Sequence, residues 1–215
     1  VSVKFHLNIN WKIKMAVKVP KTIITDVDGV LLDWEGMFTK WMTSHSQGSP
    51  QVDNEYSQAI RYGLSKIQAD LYVKTFNESA HIRYMKPLPH TERMIEKFRT
   101  QGWNFKCVTS LSTDKFAVKA REDNLTDLYQ NSMIEVQCLE TGADKTKALE
   151  ELSKKHPGAW WIEDKPENAL VGLQFGFRTI LMTHTYNKDF ECPEGMIRCK
   201  DFLEVFDAIT VFKRL

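Results

Sequence analysis

The sequence predicts an α/β fold in which a Rossmann-like parallel sheet forms the middle of three layers. Short apolar segments with strand periodicity alternate with longer amphipathic segments with helical periodicity, which is the order that a helix-covered parallel sheet requires. The apolar segments also end in acids or hydroxyl residues, and such sheets bind ligands at the carboxyl ends of their strands. The 215-residue chain is long enough for one core of this kind with an insertion.

The predicted strands and helices of this core alternate from residue 21 onwards. The first strand covers residues 21–26, a short apolar segment that ends at acids and a glycine. The later strands cover residues 103–109, 132–138, 159–163 and 177–182. The helices cover residues 91–100, 112–123, 144–156, 166–175 and 201–213. Pro166 is typical of a first helical turn, and Gly176 is typical of a helix end.

The segment 34–86 interrupts the alternation. Its helical patterns cover residues 34–45, 54–67 and 68–77, and it contains no clear strand. Pro87-Leu88-Pro89 then returns the chain to the α/β pattern. We therefore predict a core domain of residues 21–33 and 87–215, with residues 34–86 as a small helical cap.

Residues 1–20 alternate apolar and polar side chains, which is the pattern of a half-buried strand. A straight strand of that length would span roughly 65 Å at about 3.3 Å per residue, far more than usual. Two interpretations stay open. Either Met15 is a natural start preceded by an adventitious extension, or this segment is an arm that pairs with a second subunit in a homodimer.

Composition and charge disfavour several functions. Lys and Arg number 29 against 28 Asp and Glu, so the chain lacks the large net positive charge that attracts nucleic acid or acidic membranes nonspecifically. No apolar run approaches the roughly 20 residues that span a bilayer, and we see no secretory leader. The cysteines form no C-x-x-C pair, which disfavours a zinc site or a disulfide framework. Free thiols fit a reducing compartment, and we expect a cytoplasmic protein.

The ends of the predicted strands carry the residues that point to chemistry. In chain order these residues are Asp26, Asp28, Thr109, Ser110, Lys145, Glu163 and Asp164. Each of them alone is compatible with a solvated turn, a helix cap or a surface position. Because the carboxyl ends of parallel strands meet at one edge of the sheet, we expect the whole set to converge there and to form a phosphoryl-transfer site.

The pattern has a specific chemical logic. Asp26 can attack phosphorus and form an aspartyl phosphate, and Asp28 can protonate the leaving oxygen and then deprotonate water. Gly29 allows a turn that directs both carboxyls to one site. A carboxylate and a phosphate repel each other, so a hard cation is needed between them. We expect Mg²⁺ with oxygen ligands from Asp26, Asp164 and a backbone carbonyl, that of Asp28.

With these residues in place, the chain resembles the haloacid dehalogenase-like superfamily over roughly residues 21–187. The superfamily's four motifs are matched by Asp26-Val27-Asp28-Gly29-Val30, Val108-Thr109-Ser110, Asp144-Lys145-Thr146 and Ile162-Glu163-Asp164-Lys165. The resemblance implies a Rossmann-like fold, with the insertion in the position of a C1 cap, and phosphatase chemistry. The second acid, Asp28, is typical of phosphatases and argues against dehalogenation.

The resemblance also implies roles for the matched residues. Asp26 would be the nucleophile and Asp28 the general acid/base. Phosphate would be bound by Thr109, Ser110 and Lys145.

The metal motif departs from the pattern of many superfamily members. Asp164 would bind Mg²⁺, with Asn168 as its water-mediated companion. Many members have two aspartates where this chain has Glu163-Asp164. Whether Glu163 binds the metal directly therefore stays open.

Several stretches further resemble the 5′(3′)-deoxyribonucleotidases, which act on nucleoside monophosphates. They are Asp28-Gly29-Val30-Leu31, Lys86-Pro87-Leu88-Pro89, Thr109-Ser110-Leu111, Asp144-Lys145-Thr146 and Thr185-Tyr186-Asn187. This resemblance implies a nucleotide substrate whose base is held by cap aromatics. Candidates are Trp34, Phe38 and Trp41 on one helical face, unless they form the core of the cap, and His184 near the expected site mouth.

Two alternative functions stay open. The first is end processing of nucleic acid, as in the 3′-phosphatase domain of polynucleotide kinase, which needs a basic groove. The basic candidates for such a groove are scattered and offset by acids. The second is a binding protein that keeps the fold without the reaction, which the complete set of catalytic residues disfavours.

Overall fold

A computed structural model describes residues 21–211 of the protein. The strands in this part of the chain are β1 (Thr22–Thr25), β2 (Asn104–Thr109), β3 (Met133–Cys138), β4 (Trp160–Glu163), β5 (Arg178–Met182) and β6 (Met196–Cys199). They form one parallel sheet in the order β3-β2-β1-β4-β5-β6. The predicted α/β class is confirmed, and each predicted strand is found within one residue of its expected bounds.

The α-helices of the described residues are α1 (Trp34–Ser44), α2 (Gln58–Tyr62), α3 (Lys66–Asn77), α4 (Thr91–Thr100), α5 (Lys115–Tyr129), α6 (Thr146–Lys155), α7 (Pro166–Gln174) and α8 (Phe202–Val211). Short 3-10 helices cover Ala80–Tyr84 and Gln130–Ser132. None of the helices within residues 21–211 is long and apolar enough to cross a membrane.

Two predicted helices and one strand differ between prediction and structure. The strand is β6, a four-residue edge strand beside β5 that is not among the predicted strands. The predicted helix 54–67 is wrong: α2 ends at Tyr62, the following Gly63 has a φ of +63° that favours glycine, and Ser65 caps α3. The predicted helix 112–123 corresponds to α5, which ends later, at Tyr129. It also starts later, because the Asp114 carboxylate accepts the first free amides of α5.

The strand order positions the site. The chain runs from β1 outward through β2 and β3, then crosses to β4 on the other side of β1, so the topological switch point lies between β1 and β4. Both strands are buried, with Ile23 and Ile24 beside Trp160 and Trp161. The Asp26 amide donates to the Ile162 carbonyl at 2.9 Å, which extends this pairing to the strand ends.

The described part of the insertion between β1 and α4 contains helices and loops. Phe38, Trp41 and Phe76 pack in its interior, with Phe38 and Phe76 at 5.4 Å between ring centroids. Asn77 joins the insertion to the core, because its amide donates to the Leu111 carbonyl at 2.9 Å. The division into a core and a cap domain stays a prediction. The predicted N-terminal strand or dimer arm, residues 1–20, lies outside the described residues.

Candidate active site

Lys145 lies at the centre of the site, where two acids pair with its ammonium group. Its Nζ lies 2.6 Å from Asp26 Oδ2 and 2.8 Å from Glu163 Oε2, and the side chain is 2% exposed. Adjacent strands β1 and β4 bring the two acids together, and Lys145 is the residue that precedes α6. Burial alone would lower the pKa of Lys145, but the two carboxylates raise it, so the ammonium stays charged.

Glu163 anchors this lysine through a set of protein partners. Its Oε2 accepts from Lys145, and its Oε1 accepts from the amides of Asp164 and Lys165, both at 3.0 Å. Burial would raise the pKa of Glu163, but the Lys145 ammonium and these hydrogen bonds lower it to about 2. Because both oxygens have protein partners, the geometry favours a positioning role for Glu163 over direct metal binding.

Asp26, Glu163 and Asp164 form a buried acidic cluster, with one carboxylate oxygen of each within 4.8 Å of the others. Burial raises the pKa of both Asp26 and Asp164 well above the usual value, and the negative charge of Glu163 raises both further. Three carboxylates around the single ammonium of Lys145 leave two negative charges when all are ionised. Hard oxygen donors with this charge suit one divalent cation such as Mg²⁺. The donor set therefore fits the metal, and Asp26 and Asp164 would be its side-chain ligands.

The backbone at Gly29 lies close to the Asp164 carboxylate. Gly29 has a φ of +78°, and a Cβ at this position would clash with Asp164 Oδ2, so only glycine fits. The Tyr186 hydroxyl donates to Asp164 Oδ2. The Asn187 amide donates to the carbonyls of Asp164 and Met182, each at 2.7 Å. The loop after β5 thus holds Asp164 in place.

His184 belongs to the same loop and is half-buried beside the turn that contains Asp28 and Gly29. Its Nε2 lies 2.7 Å from the Gly29 carbonyl oxygen, and its ring stacks on Tyr186 at 5.1 Å between centroids. These contacts bring the predicted candidate His184 next to the site. They also give it a role in fixing the turn that carries Asp28.

Asp28 has partners that differ from those of the acidic cluster. Arg121 Nη2 lies 2.6 Å from Asp28 Oδ1 and 2.9 Å from Oδ2, and the Thr109 hydroxyl donates to Oδ2 at 3.3 Å. The Asp28 side chain is 21% exposed, whereas Arg121 is fully buried. The two aspartates of one turn are therefore held by different cations, Asp26 by Lys145 and Asp28 by Arg121.

The other predicted phosphate and metal residues lie around this centre. Thr109, at the end of β2, contacts Asp28 and so belongs to the site. The Ser110 hydroxyl donates to the Ala143 carbonyl at 2.7 Å, which fixes the loop that leads to Lys145. Asn168 is half-buried in α7, and its carbonyl accepts from Trp161 Nε1 at 3.1 Å. The roles of Ser110 as a phosphate ligand and of Asn168 and the Asp28 carbonyl at the metal stay predictions.

The predicted cap aromatics are placed differently. Phe38 is 1% exposed and Trp41 is 6% exposed, because both pack into the interior of the insertion. Trp34 stacks on Phe38 at 4.6 Å between centroids and donates from Nε1 to Asn77 Oδ1 at 2.8 Å. The proposed contact of Phe38 and Trp41 with substrate therefore needs correction: the helical stripe builds the core of the cap, and burial removes both rings from a ligand.

Tyr56 is the aromatic residue of the insertion that reaches the site. It lies in the loop between α1 and α2 and is 52% exposed. Its ring packs edge-on against Tyr186 at 5.3 Å between centroids, and Lys165 Nζ lies 5.0 Å from its centre. Burial of the hydroxyl, then the charges of Asp164 and the other site acids, raise the pKa of Tyr56 well above its usual value. Tyr56 is thus a half-exposed aromatic residue close enough to the site for its acids to affect the pKa of the hydroxyl.

Comparison with known proteins places the fold. No protein-family model matches the chain. A curated relative, an uncharacterized 32.4 kDa protein of Enterobacteria phage T4, is 24% identical over 160 residues, or 66% of this chain. The chain spans 53% of the length of that relative.

Solved structures give a broader match. A haloacid dehalogenase-like family hydrolase from Streptococcus pneumoniae has a TM-score of 0.62 at 16% identity, covering 89% of this chain and 99% of that one. A D,D-heptose 1,7-bisphosphate phosphatase from B. bronchiseptica, complexed with magnesium and phosphate, has a TM-score of 0.58 at 14% identity, covering 89% and 98%. An L-2-haloacid dehalogenase has a TM-score of 0.59 at 12% identity, covering 88% and 99%. The chain therefore has the haloacid dehalogenase-like fold, and the nucleotidase resemblance stays a prediction.

Proposed function

We propose that the protein is a Mg²⁺-dependent phosphomonoester hydrolase whose nucleophile is Asp26. One observation carries this proposal. Asp26 is a buried carboxylate at the switch point of the sheet, held by Lys145, with a second acid two residues later on separate partners. This arrangement supports covalent catalysis with a separate proton-transfer group.

In the proposed reaction, an Asp26 oxygen attacks phosphorus and the bond from phosphorus to the leaving alcohol breaks. Asp28 gives its proton to the departing oxygen. A water molecule then attacks the aspartyl phosphate while Asp28 takes its proton, which releases inorganic phosphate and restores both aspartates. Lys145 and Thr109 are placed to hold the phosphoryl oxygens. Mg²⁺ held by Asp26 and Asp164 would offset the charge of the phosphoryl group.

The second acid favours phosphate chemistry over dehalogenation. The fold alone does not decide between them, because the similar structures include a dehalogenase as well as a phosphatase. Hydrolysis of a phosphomonoester needs a proton donor for the leaving oxygen, and Asp28 with its own cation and hydroxyl partners supplies one. A halide leaving group needs no proton.

For the substrate we propose a small phosphorylated molecule, with a nucleotide as the preferred class. Tyr56 presents a half-exposed ring beside Tyr186, whose hydroxyl donates to Asp164, and Lys165 lies against the same ring. An aromatic face with a nearby cation suits the stacking of a planar base that carries phosphate. Tyr56 thereby takes the role that Phe38 and Trp41 cannot fill.

The test is phosphate release with and without Mg²⁺ from nucleoside monophosphates, sugar phosphates and 3′-phosphorylated oligonucleotides. We expect Mg²⁺-dependent turnover with nucleoside monophosphates preferred. Tyr56→Ala should raise KM for nucleotides about tenfold and leave a generic aryl phosphate nearly unchanged, since one stacking contact contributes about 1 to 3 kcal/mol. Tyr84→Ala, at another exposed tyrosine, is the control.

The outcomes separate the alternatives. Preference for a sugar phosphate would contradict the nucleotide assignment, and preference for the oligonucleotide would favour end processing. Absence of turnover on every substrate would favour a binding protein that has lost the reaction.

A further inference from the structure

Arg121 is a buried cation that the chemistry so far does not explain. It lies on α5, its side chain is 0% exposed, and Nη2 contacts both carboxylate oxygens of Asp28. The same Nη2 lies 3.7 Å from the Met85 sulfur. Within the described residues, Arg121 Nε and Nη1 have no hydrogen-bond partner. Among residues 21–211, the charged group paired with this guanidinium is the Asp28 carboxylate.

This arrangement differs from a purely structural ion pair. A buried guanidinium has five N–H donors and a large desolvation cost, which a structural pair offsets by satisfying most of the donors. Arg121 leaves two nitrogens unpartnered and directs the third to Asp28. Nη2 contacts both oxygens of the Asp28 carboxylate. Rotation of the Asp28 side chain would therefore leave the buried guanidinium of Arg121 without its charged partner.

The surroundings hold Arg121 rigidly. Asn124, one turn further along α5, donates to the carbonyls of Arg83 at 3.2 Å and Met85 at 3.0 Å. These bonds join α5 to the segment at the end of the insertion. The Met85 sulfur of this segment also contacts the guanidinium. The cation that holds Asp28 is thus itself held by two elements of the fold.

We propose that Arg121 is a positioning residue that fixes the Asp28 carboxyl for proton transfer and acts on the reaction only through Asp28. Arg121 has no exposed surface, so it does not touch the substrate. The inference rests on the proposed phosphatase function, in which Asp28 protonates the leaving oxygen and then accepts a proton from water.

The test compares substrates that need proton transfer to different extents. An alkyl phosphate releases a poor leaving group and needs an acid, whereas a nitrophenyl phosphate releases a stable anion without one. We expect Arg121→Met to lower kcat on the alkyl phosphate about 100-fold, within the usual range for acid–base catalysis, and to change KM less than about threefold. Nitrophenolate should still appear in a rapid first turnover, followed by slow phosphoenzyme hydrolysis.

Three further variants make the test decisive. Arg121→Lys keeps the charge but loses the fixed guanidinium geometry, and we expect an intermediate loss on the alkyl phosphate. Asp28→Asn combined with Arg121→Met should be no slower than Asp28→Asn alone, because Arg121 acts through Asp28. Arg83→Met is the control, because the Arg83–Asp127 pair also joins the cap segment to α5.

The possible results are distinguishable. Equal losses of the first-turnover rate on both substrates, or a further loss when Asp28 is already replaced, would overturn the proposal. If Arg121→Met does not fold, the other two variants decide the question by the same criteria. They are Arg121→Lys and the double variant, which replaces both charged groups and so leaves no buried charge without a partner. If Arg121→Met has wild-type activity and Asp26→Asn is inactive, only this inference is contradicted. If the wild-type protein itself is inactive, the proposed function is contradicted.

Discussion

Glu163 and Lys145 form an ion pair that is closed off from solvent, with the two side chains 0% and 2% exposed. Glu163 holds the Lys145 ammonium against Asp26 and is itself fully buried. Lys145 Nζ bridges the two acids at 2.6 and 2.8 Å, so a loss of either acid redirects the ammonium.

Glu163→Gln should destabilise the protein. The change removes one charge of a buried pair and leaves Lys145 with Asp26 alone, which costs about 3 kcal/mol of unfolding free energy at pH 7. Urea unfolding of metal-free protein measures it. Glu150→Gln, at an exposed pair with Lys154, is the control and should change the unfolding free energy by less than about 0.5 kcal/mol. An unchanged midpoint for Glu163→Gln would contradict the anchoring role.

The same variant gives a pH prediction. The pKa of Glu163 is lowered from an ordinary 4.5 to about 2 in the folded protein. A lowered folded pKa contributes stability that is present above 4.5 and is lost as the pH falls towards 2. The difference in unfolding free energy between wild type and Glu163→Gln should therefore be constant from pH 7 to 5 and shrink below pH 4.5. A difference that grows on acidification would contradict the assignment.

Some site residues could be predicted from the sequence and others could not. Asp26, Thr109, Lys145 and Asp164 follow strands or begin a helix, so topology alone brings them together. Arg121 lies in the middle of an amphipathic helix, 93 residues from Asp28, and no local pattern distinguishes it from a surface arginine. Its role depends on the angle at which α5 packs, which spacing does not encode.

At the scale of elements, α7 depends on a glycine contact with β4. Gly172 is buried, and a Cβ there would clash with the ring of Trp161, itself fully buried. The Trp161 ring cannot move away, because its Nε1 also donates to the Asn168 carbonyl of the same helix. Absence of a side chain at residue 172 therefore allows α7 to lie close to the strand that carries Glu163.

Gly172→Ala should destabilise the protein by about 1 to 3 kcal/mol through overpacking. This sign is the reverse of the usual effect, since alanine in a helix is favoured over glycine by about 1 kcal/mol. Urea unfolding measures the change, with Gln174→Ala at an exposed position of α7 as the control. A more stable Gly172→Ala protein would show that the helix does not pack as described.

The insertion shows where periodicity stops being informative. Trp34, Phe38 and Trp41 recur at helical spacing, which indicates a shared face but not whether that face meets a ligand or another helix. The structure packs it against Phe76 of α3. Tyr56 lies in a polar loop with no period, so its position over the site follows from tertiary contacts such as the Thr185 hydroxyl donating to the Asp53 carbonyl.

At the scale of the whole molecule, we expect the acidic cluster to link metal binding to folding. When its three buried acids are ionised, the cluster with Lys145 keeps two excess negative charges, which repel each other in the metal-free protein. We expect Mg²⁺ to raise the unfolding free energy by about 2.7 kcal/mol at 100 times its Kd, and EDTA to reverse the effect. Thermal unfolding of dialysed protein at several Mg²⁺ concentrations measures this.

Asp164→Asn should lose this Mg²⁺ response while Asp189→Asn, at an exposed position, keeps it. In the absence of metal, Asp164→Asn should be at least as stable as wild type, because it removes one of the repelling charges. A Mg²⁺ response that survives Asp164→Asn would place the cation elsewhere.

The most direct test of the account asks whether Asp26 becomes phosphorylated. Wild-type protein is mixed with Mg²⁺ and a ³²P-labelled phosphomonoester, quenched in acid within the first turnovers, and mapped by peptide mass spectrometry, with Asp26→Asn and Asp189→Asn in parallel. We predict an acid-stable, hydroxylamine-sensitive phosphoryl group on Asp26, and loss of both label and turnover in Asp26→Asn alone. Full turnover by Asp26→Asn, or label on another residue, would contradict the central claim.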